Sequence, residues 1–454
     1  MKRRILLSLI LVIATLGLVW AGGGQQPAPS AAPATPAAPA GPITLRVWGG
    51  VPEENGPGDL IASFMAANPN IRVEYTRFVN DDSGNLRLDT ALIAGGQVDV
   101  YFTYRNDNIA RRALGGNALA LDSFARADNF DFTREFGDVS FATLNNQVYA
   151  IPTNKGPQFF MANMSMLERA GITTVPQSWT VQEFRDIARR LSSGSGQNRV
   201  FGVMFPNWPQ LFLLGAQVAL GPNGFLTPDG TQANFSNPLF RQWIETRRAM
   251  QYDDQSEVPY VDVVAQNLAD ATEYLTGRVA LIYTGTWRVR NINDPAQTPD
   301  FRTTFLPMFS MQPNQQRLYN EGSLGDWAMI ARDTPHAEAA WQFIKYWATV
   351  GSDPMVAKGG KIPAWTSYPS EKVVEVMLGE NPEQRFDVDA FRRVVLEAPL
   401  FSYQATDDLA REIYNDMRNV VKEEVELLFV GRQNLDRTIE QMNSRTNALI
   451  RAAR

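Results

Sequence analysis

Residues 148–168, Val-Tyr-Ala-Ile-Pro-Thr-Asn-Lys-Gly-Pro-Gln-Phe-Phe-Met-Ala-Asn-Met-Ser-Met-Leu-Glu, constrain the fold more than any other stretch. The segment opens as a short apolar strand, passes through 153–157, and resumes as an apolar run at 159–161 before a short helix ending near Gly171. Pro152 and Pro157 each lack a ladder donor and fix φ, which disfavours one continuous buried strand. On these residues alone an ordinary loop within one domain is the simpler reading. A chain passing from one lobe to another would look the same, and the flanking segments favour that crossing.

Upstream, residues 43–48 alternate as a strand and break at Gly49-Gly50. Asp59 is placed to cap a helix with Leu60, Ile61, Phe64 and Met65 inward, and Asn68-Pro69-Asn70 stops it. A strand at 71–75, a helix at 86–93 ending at Gly95-Gly96, and a buried strand at 98–102 follow. Strands alternating with helices at this spacing predict doubly wound α/β lobes. Downstream, Thr180-Val-Gln-Glu183 is a capping box with Trp179 and Phe184 as its staple, and Asn237-Pro238 opens another helix. Residues 279–283 and 325–330 read as strands, and Leu409, Ile413, Met417, Val421, Val425 and Leu428 keep a long helix amphipathic.

Several blocks resemble the family-1 extracellular solute receptors of ABC importers, the maltose-binding-protein-like sugar receptors. They are Tyr149-Ala-Ile-Pro with the aromatic run, Asn163, Leu167, Ala170-Gly171-Ile172, Val175-Pro176 and Ser178-Trp179-Thr180. Asn68-Pro-Asn-Ile71, Ala94-Gly-Gly-Gln-Val-Asp99-Val and the passage from Glu273 to Trp287 extend the likeness over nearly the whole chain. The resemblance implies a periplasmic-binding-protein-like fold, with two doubly wound lobes joined by several hinge crossings and a ligand cleft between them. Crossings near Pro152, Gly325 and Trp365 would make both lobes discontinuous, 43–152 with 326–366 and 153–325 with 367–454. The implied function is capture of a sugar or small oligosaccharide and its delivery to membrane permease subunits, by a monomer working through closure and without a cofactor.

Composition excludes several other classes. With no cysteine and a single histidine, His336, thiolate metal sites, cysteine nucleophiles and a Ser-His-Asp triad lack material. A net charge of −6 with no basic stripe argues against nucleic acid. Gly194-Ser195-Gly196 is a surface turn and not a nucleophile elbow. The rival class is a secreted glycoside hydrolase, which would need a carboxyl pair flanking one glycosidic bond, and no motif establishes such a pair.

In open α/β sheets ligands bind beyond the carboxyl ends of strands, and sugars need flat aromatic faces with planar polar groups around them. By that rule and the family's pattern, Trp287 is the leading stacking candidate, with Arg288 beside it and Trp208 after the strand at 200–204. Trp327 and Asp326 at the second crossing, Trp365 near the third, and Lys155 at the first complete that group. Glu53 and Glu54 stand where the resemblance places an acidic sugar contact, and Tyr104, Asn106 and Asp107 follow the strand at 98–102. Where the family has an aromatic directly after that strand this chain has Thr103, with Tyr104 next.

Residues 1–21 read as an export signal, with Lys2-Arg3-Arg4, an apolar run shorter than the ~20 residues that span a bilayer, and a Val19-Trp20-Ala21 cleavage site. Residues 22–42 form an uncharged Ala/Pro tether, and without cysteine the chain cannot be a lipoprotein, so the expected location is the periplasm or beyond. Mass spectrometry of native protein should find an N-terminus at or near Gly22 with no acyl chain, and an intact Met1 would contradict this.

Overall fold

The computed structural model describes residues 41–454 apart from Asn106 and Glu321. The signal and nearly all of the tether lie outside them. Two sheets organise the chain. The larger has six strands in the order Ile362–Pro363, Ile151–Lys155, Leu324–Ile330, Val100–Thr103, Ile43–Gly49, Ile71–Arg77. Its first three strands in sequence pair in parallel, while Leu324–Ile330 runs antiparallel to both of its neighbours. The smaller sheet has the order Thr303–Leu306, Gln158–Asn163, Val279–Gly285, Phe201–Met204.

The strands Val100–Thr103, Gln158–Asn163 and Val279–Gly285 are buried on both faces and so are apolar at consecutive positions, whereas Ile43–Gly49 and the edge strand Ile71–Arg77 alternate. Phe160 and Ala162 enter one core with Trp179, Phe184 and Trp243, while Phe159 and Met161 enter another with Val279 and Ile282. In the larger sheet Val100, Phe102, Ala328 and Ile330 face one core, and Tyr101, Trp327 and Met329 face the opposite one.

Local rules explain most helix boundaries. The Thr180 hydroxyl accepts from Glu183 N–H at 3.3 Å while the Glu183 carboxylate accepts from Thr180 N–H at 2.7 Å, and Trp179 meets Phe184 edge-on at 5.4 Å. The helix Asp408–Phe429 buries Ile413, Met417, Val421, Val425 and Leu428 as its spacing requires. The helix expected to be capped by Asp59 starts earlier, at Pro57 after Gly56, whose φ of 118° is open only to glycine. The strand expected from Val98 begins at Val100, because Asp99 has another task. Its buried carboxylate accepts from Arg46 N–H at 2.7 Å and from the Thr334 hydroxyl at 2.6 Å, tying two strand ends together.

The passage between the sheets is built from backbone and one side chain. The chain leaves the larger sheet at Lys155 and joins the smaller at Gln158, so the break falls at Gly156-Pro157, a few residues beyond Pro152. Pro152 stays inside its strand, and the short neighbour Ile362–Pro363 covers only Lys155 and Asn154, so its missing N–H costs no ladder bond on that side. The return passage lies directly against the outward one. Gly156 N–H donates to Ser323 O at 2.9 Å, Gln158 N–H donates to Asn320 Oδ1 at 3.0 Å, and Asn320 Nδ2 donates to Gln158 O at 2.6 Å.

A Cβ on Gly322 would sit 2.1 Å from Gly156 O and 2.7 Å from Pro157 Cα, so the two passages approach as closely as only glycine allows. Gly322→Ala should therefore force them apart and destabilise the protein by about 2 kcal/mol or more, read as a lowered midpoint in thermal and urea denaturation. An unchanged midpoint would show that the passages can separate freely.

Candidate functional site

Beyond the end of strand Ile43–Gly49, Gly49-Gly50 gives two phenol rings room to lie on the backbone. A Cβ at Gly49 would fall 2.2 Å from the Tyr75 hydroxyl oxygen, and one at Gly50 would fall 2.8 Å from the Tyr104 ring. Tyr75 donates to Val51 O at 2.7 Å, and Gly50 N–H donates to the Tyr104 hydroxyl oxygen at 2.6 Å. These bonds hold Tyr104 at the wall of a cavity of about 100 Å³. Arg105 and Phe141 share that wall, and Gln210, Tyr403, Arg411, Tyr414 and Arg418 face them from the other side. Arg411 lies 5.1 Å over the Phe141 ring, and the Arg105 guanidinium meets the side chain of Asn415 on the long helix.

A second group gathers around Asp326. This residue interrupts the ladder between Leu324–Ile330 and Ile151–Lys155, with a left-handed φ of 47° that is uncommon outside glycine. Thr153 replaces the lost ladder bond by donating its hydroxyl to Asp326 O at 2.7 Å. The twist turns the carboxylate onto Lys361 Nζ at 2.7 Å, both side chains being only 13% exposed. Arg290 feels the same carboxylate. Burial first, and Arg288 second, hold its guanidinium below the ordinary arginine range, while Asp326 and Glu54 act in the opposite direction. Glu53 and Glu54 themselves are exposed on a short turn after the first strand.

The tryptophans separate into different roles. Trp208 and Trp287 are half-buried neighbours at 6.1 Å, and Trp208 meets Tyr283 edge-on at 6.5 Å. Trp287 lies flat on Gly285, where a Cβ would fall 2.1 Å from its ring. Trp327, expected as a ligand contact, is fully buried in the core of the larger sheet, so its ring serves packing. Trp365 donates its indole N–H to Glu135 Oε2 at 2.8 Å and lines a separate cavity of about 210 Å³ with Lys155. Burial there lowers the Lys155 pKa. Arg288 spends its fork on Asp270, with bonds of 3.0 and 2.6 Å, and so braces the turn that carries Trp287. Asn106 and the side chain of Asp107 lie outside the described residues.

Sequence reasoning missed Phe141, Gln210, Tyr403, Arg411, Tyr414 and Arg418. The last signal was present: Arg411, Tyr414 and Arg418 recur at steps of three and four beside the buried stripe of the same helix. Such a polar stripe reads as a solvated face unless the opposite lobe is known. Among the described residues no cluster of acids and histidine is arranged to hold a metal, and no helix is long and apolar enough to cross a membrane.

Two α/β units linked by adjacent chain passages, with aromatic and polar groups from both lining one cleft, define a two-lobe binding protein. The chain belongs to the bacterial extracellular solute-binding proteins, whose family pattern it matches over residues 51–353, about two thirds of its length. An ABC substrate-binding protein from Listeria monocytogenes in complex with cycloalternan is similar in fold, with a TM-score of 0.75 and 15% identity over 89% of this chain and 98% of that one. UgpB from Mycobacterium tuberculosis in complex with glycerophosphocholine aligns with a TM-score of 0.72 and 18% identity over 91% and 99%. A solute-binding protein of an ABC transporter from Thermotoga lettingae bound with alpha-D-tagatose gives 0.71 and 18% over 90% and 100%. The family and these neighbours are substrate-binding proteins rather than enzymes.

Replacing the Asp326 carboxylate by an amide keeps a residue that tolerates φ of 47° but strips Lys361 of its counter-charge. Asp326→Asn should cost about 2–3 kcal/mol at neutral pH, the scale of an ion left unpaired in a largely dry site, as measured by urea denaturation. A loss below about 0.5 kcal/mol would mean that water already screens the pair.

Proposed function

We propose that this protein captures a sugar or short oligosaccharide outside the cytoplasmic membrane and hands it to the permease subunits of an ABC importer. The observation that carries the reading is the half-exposed Trp208–Trp287 pair at 6.1 Å, set at strand ends beside the Asp326, Lys361 and Arg290 group. Accessible aromatic faces, here tilted by 49° to each other, suit the apolar side of a sugar, and charged planar groups suit its hydroxyls. Neighbours of the same fold hold cycloalternan and tagatose, which favours a carbohydrate.

In this reading 43–155 with 324–366 forms one lobe and 156–323 with 367–454 the other, the division falling where the chain leaves and re-enters the larger sheet. The lobes rotate about Gly156-Pro157, the stretch between Asn320 and Leu324, and the stretch after Pro363. The protein acts as a monomer without cofactor or bond chemistry. Export by the segment 1–21 delivers it, and the tether 22–42 is left at the mature N-terminus.

A ligand that touches both lobes binds the closed state better and shifts the population toward it. Binding only the folded protein, it also stabilises by about 2.7 kcal/mol at a hundredfold excess over Kd. A thermal-shift screen of sugars and oligosaccharides should yield a stabilising compound, recovered intact, that also lowers the radius of gyration in small-angle scattering. With that compound, Trp287→Ala should weaken binding by about 1–3 kcal/mol while unfolding stays cooperative. Cleavage of the compound, or stabilisation with superimposable scattering curves, would overturn the reading.

A further inference from the structure

We infer that the ligand carries an anionic group, a carboxylate or phosphate, and that this group seats between Arg411 and Arg418 at the Tyr104–Tyr414 end of the cleft. The inference rests on the carbohydrate reading above and specifies its chemistry. The wall of the 100 Å³ cavity holds three arginines, Arg105, Arg411 and Arg418, and no carboxylate among its described lining residues. The protein as a whole is acidic, at −6, so this concentration of positive charge is local.

Arg105 pairs with the exposed Asp82 at 2.9 Å, whereas Arg411 and Arg418 are poorly neutralised. Arg411 has its carboxylate, Asp408, at 3.7 Å, and that side chain is 96% exposed, where water screens most of the attraction. Its Nε donates to a neutral carbonyl, Ala405 O, at 3.3 Å. Arg418 offers Nη2 to the amide oxygen of Asn415 at 3.1 Å, and its Nε is buried without a hydrogen-bond partner. A buried, unsatisfied donor on a charged group is costly.

The arrangement also spans the cleft. Arg105 follows the strand Val100–Thr103 of the larger sheet, whereas Arg418 stands on the helix Asp408–Phe429, which packs with the smaller sheet's core. Both guanidinium groups turn to the same Asn415 amide oxygen, a neutral acceptor shared by two cations. Cations from opposite sides of the cavity thus converge on one neutral atom, and an anion seated beside them attracts both sides. The anionic group thereby adds an electrostatic contribution to the closure that any sugar touching both lobes favours. Arginine's planar fork suits carboxylate and phosphate oxygens, and Tyr104, Phe141 and Tyr414 supply the flat surfaces for the ring that bears them.

The test is calorimetric titration with matched pairs, uronic-acid oligosaccharides beside their neutral hexose counterparts, and glucose 6-phosphate beside glucose. An acidic member should bind at least tenfold tighter than its neutral partner, and its affinity should fall as sodium chloride rises from 50 to 500 mM while the neutral member's does not. Whether the preference appears in the uronate or the phosphate arm identifies the source of the charge. Arg418→Gln should shrink the acidic-to-neutral preference about tenfold, with Arg418→Lys retaining part of it, and circular dichroism melts would verify that both variants fold. Neutral sugars that bind as well as their acidic partners would overturn this inference and leave the carbohydrate reading standing. Failure of every carbohydrate, neutral or acidic, would overturn both.

Discussion

The side-chain amide of Asn320 does the work of a strand at the place where the two sheets are joined. It accepts from the Gln158 N–H and donates to the Gln158 carbonyl, and it also accepts from the Gly322 N–H at 2.7 Å. Backbone groups leaving one sheet for another have lost their ladder partners, and a buried orphan costs as much as a lost hydrogen bond. Asn320 meets that demand without committing the passage to either sheet. With Gly322 set against Gly156, the outward and return passages become one narrow neck. The positions of Asp326, Lys361 and the Trp287 turn follow from where this neck lets each sheet begin.

Charge is distributed against that framework in two different ways. Around Asp326, cations and a carboxylate meet within the protein, and the Lys361 pair is closed at 2.7 Å. Along the Asp408–Phe429 helix the cations face a cavity, with their nearest partners neutral or fully hydrated. The first arrangement holds a bent strand in place. The second leaves hydrogen-bonding capacity unspent at a surface that both lobes share, and such unspent capacity belongs to binding sites more than to scaffolds.

Much of the scaffold was legible because its determinants are local. The capping box at Thr180, the staple of Trp179 and Phe184, and the apolar period of the helix at 408–429 each need only a few neighbouring residues. The break within 148–168 was legible for the same reason, although its position was set by Gly156-Pro157 and not by Pro152. Pro152 was misleading because its effect depends on which strand lies beside it, and the short Ile362–Pro363 edge leaves room for it. Site residues were harder to read. Trp287 and Trp327 have similar settings in sequence, each just beyond a glycine near a strand end. Yet Trp287 stands in the turn after its strand and is half-exposed, whereas Trp327 lies within its strand and is enclosed in a core with Leu88, Leu92 and Ile109. The cleft face of the long helix was hidden since nothing near Arg411 in sequence announces Phe141.

The strand Leu324–Ile330 lies inside the larger sheet, between Val100–Thr103 and Ile151–Lys155, both of which precede it by a long stretch of chain. Until it is in place, those earlier strands have a gap between them and edges that no neighbour covers. The smaller sheet can be completed from a continuous stretch of sequence, whereas the larger must wait for a segment from the far side of it. Long-range pairing of this kind slows folding, because the closure entropy is spent before the contacts form. The larger sheet therefore carries a long-range closure that the smaller sheet does not, and its completion depends on the last third of the chain.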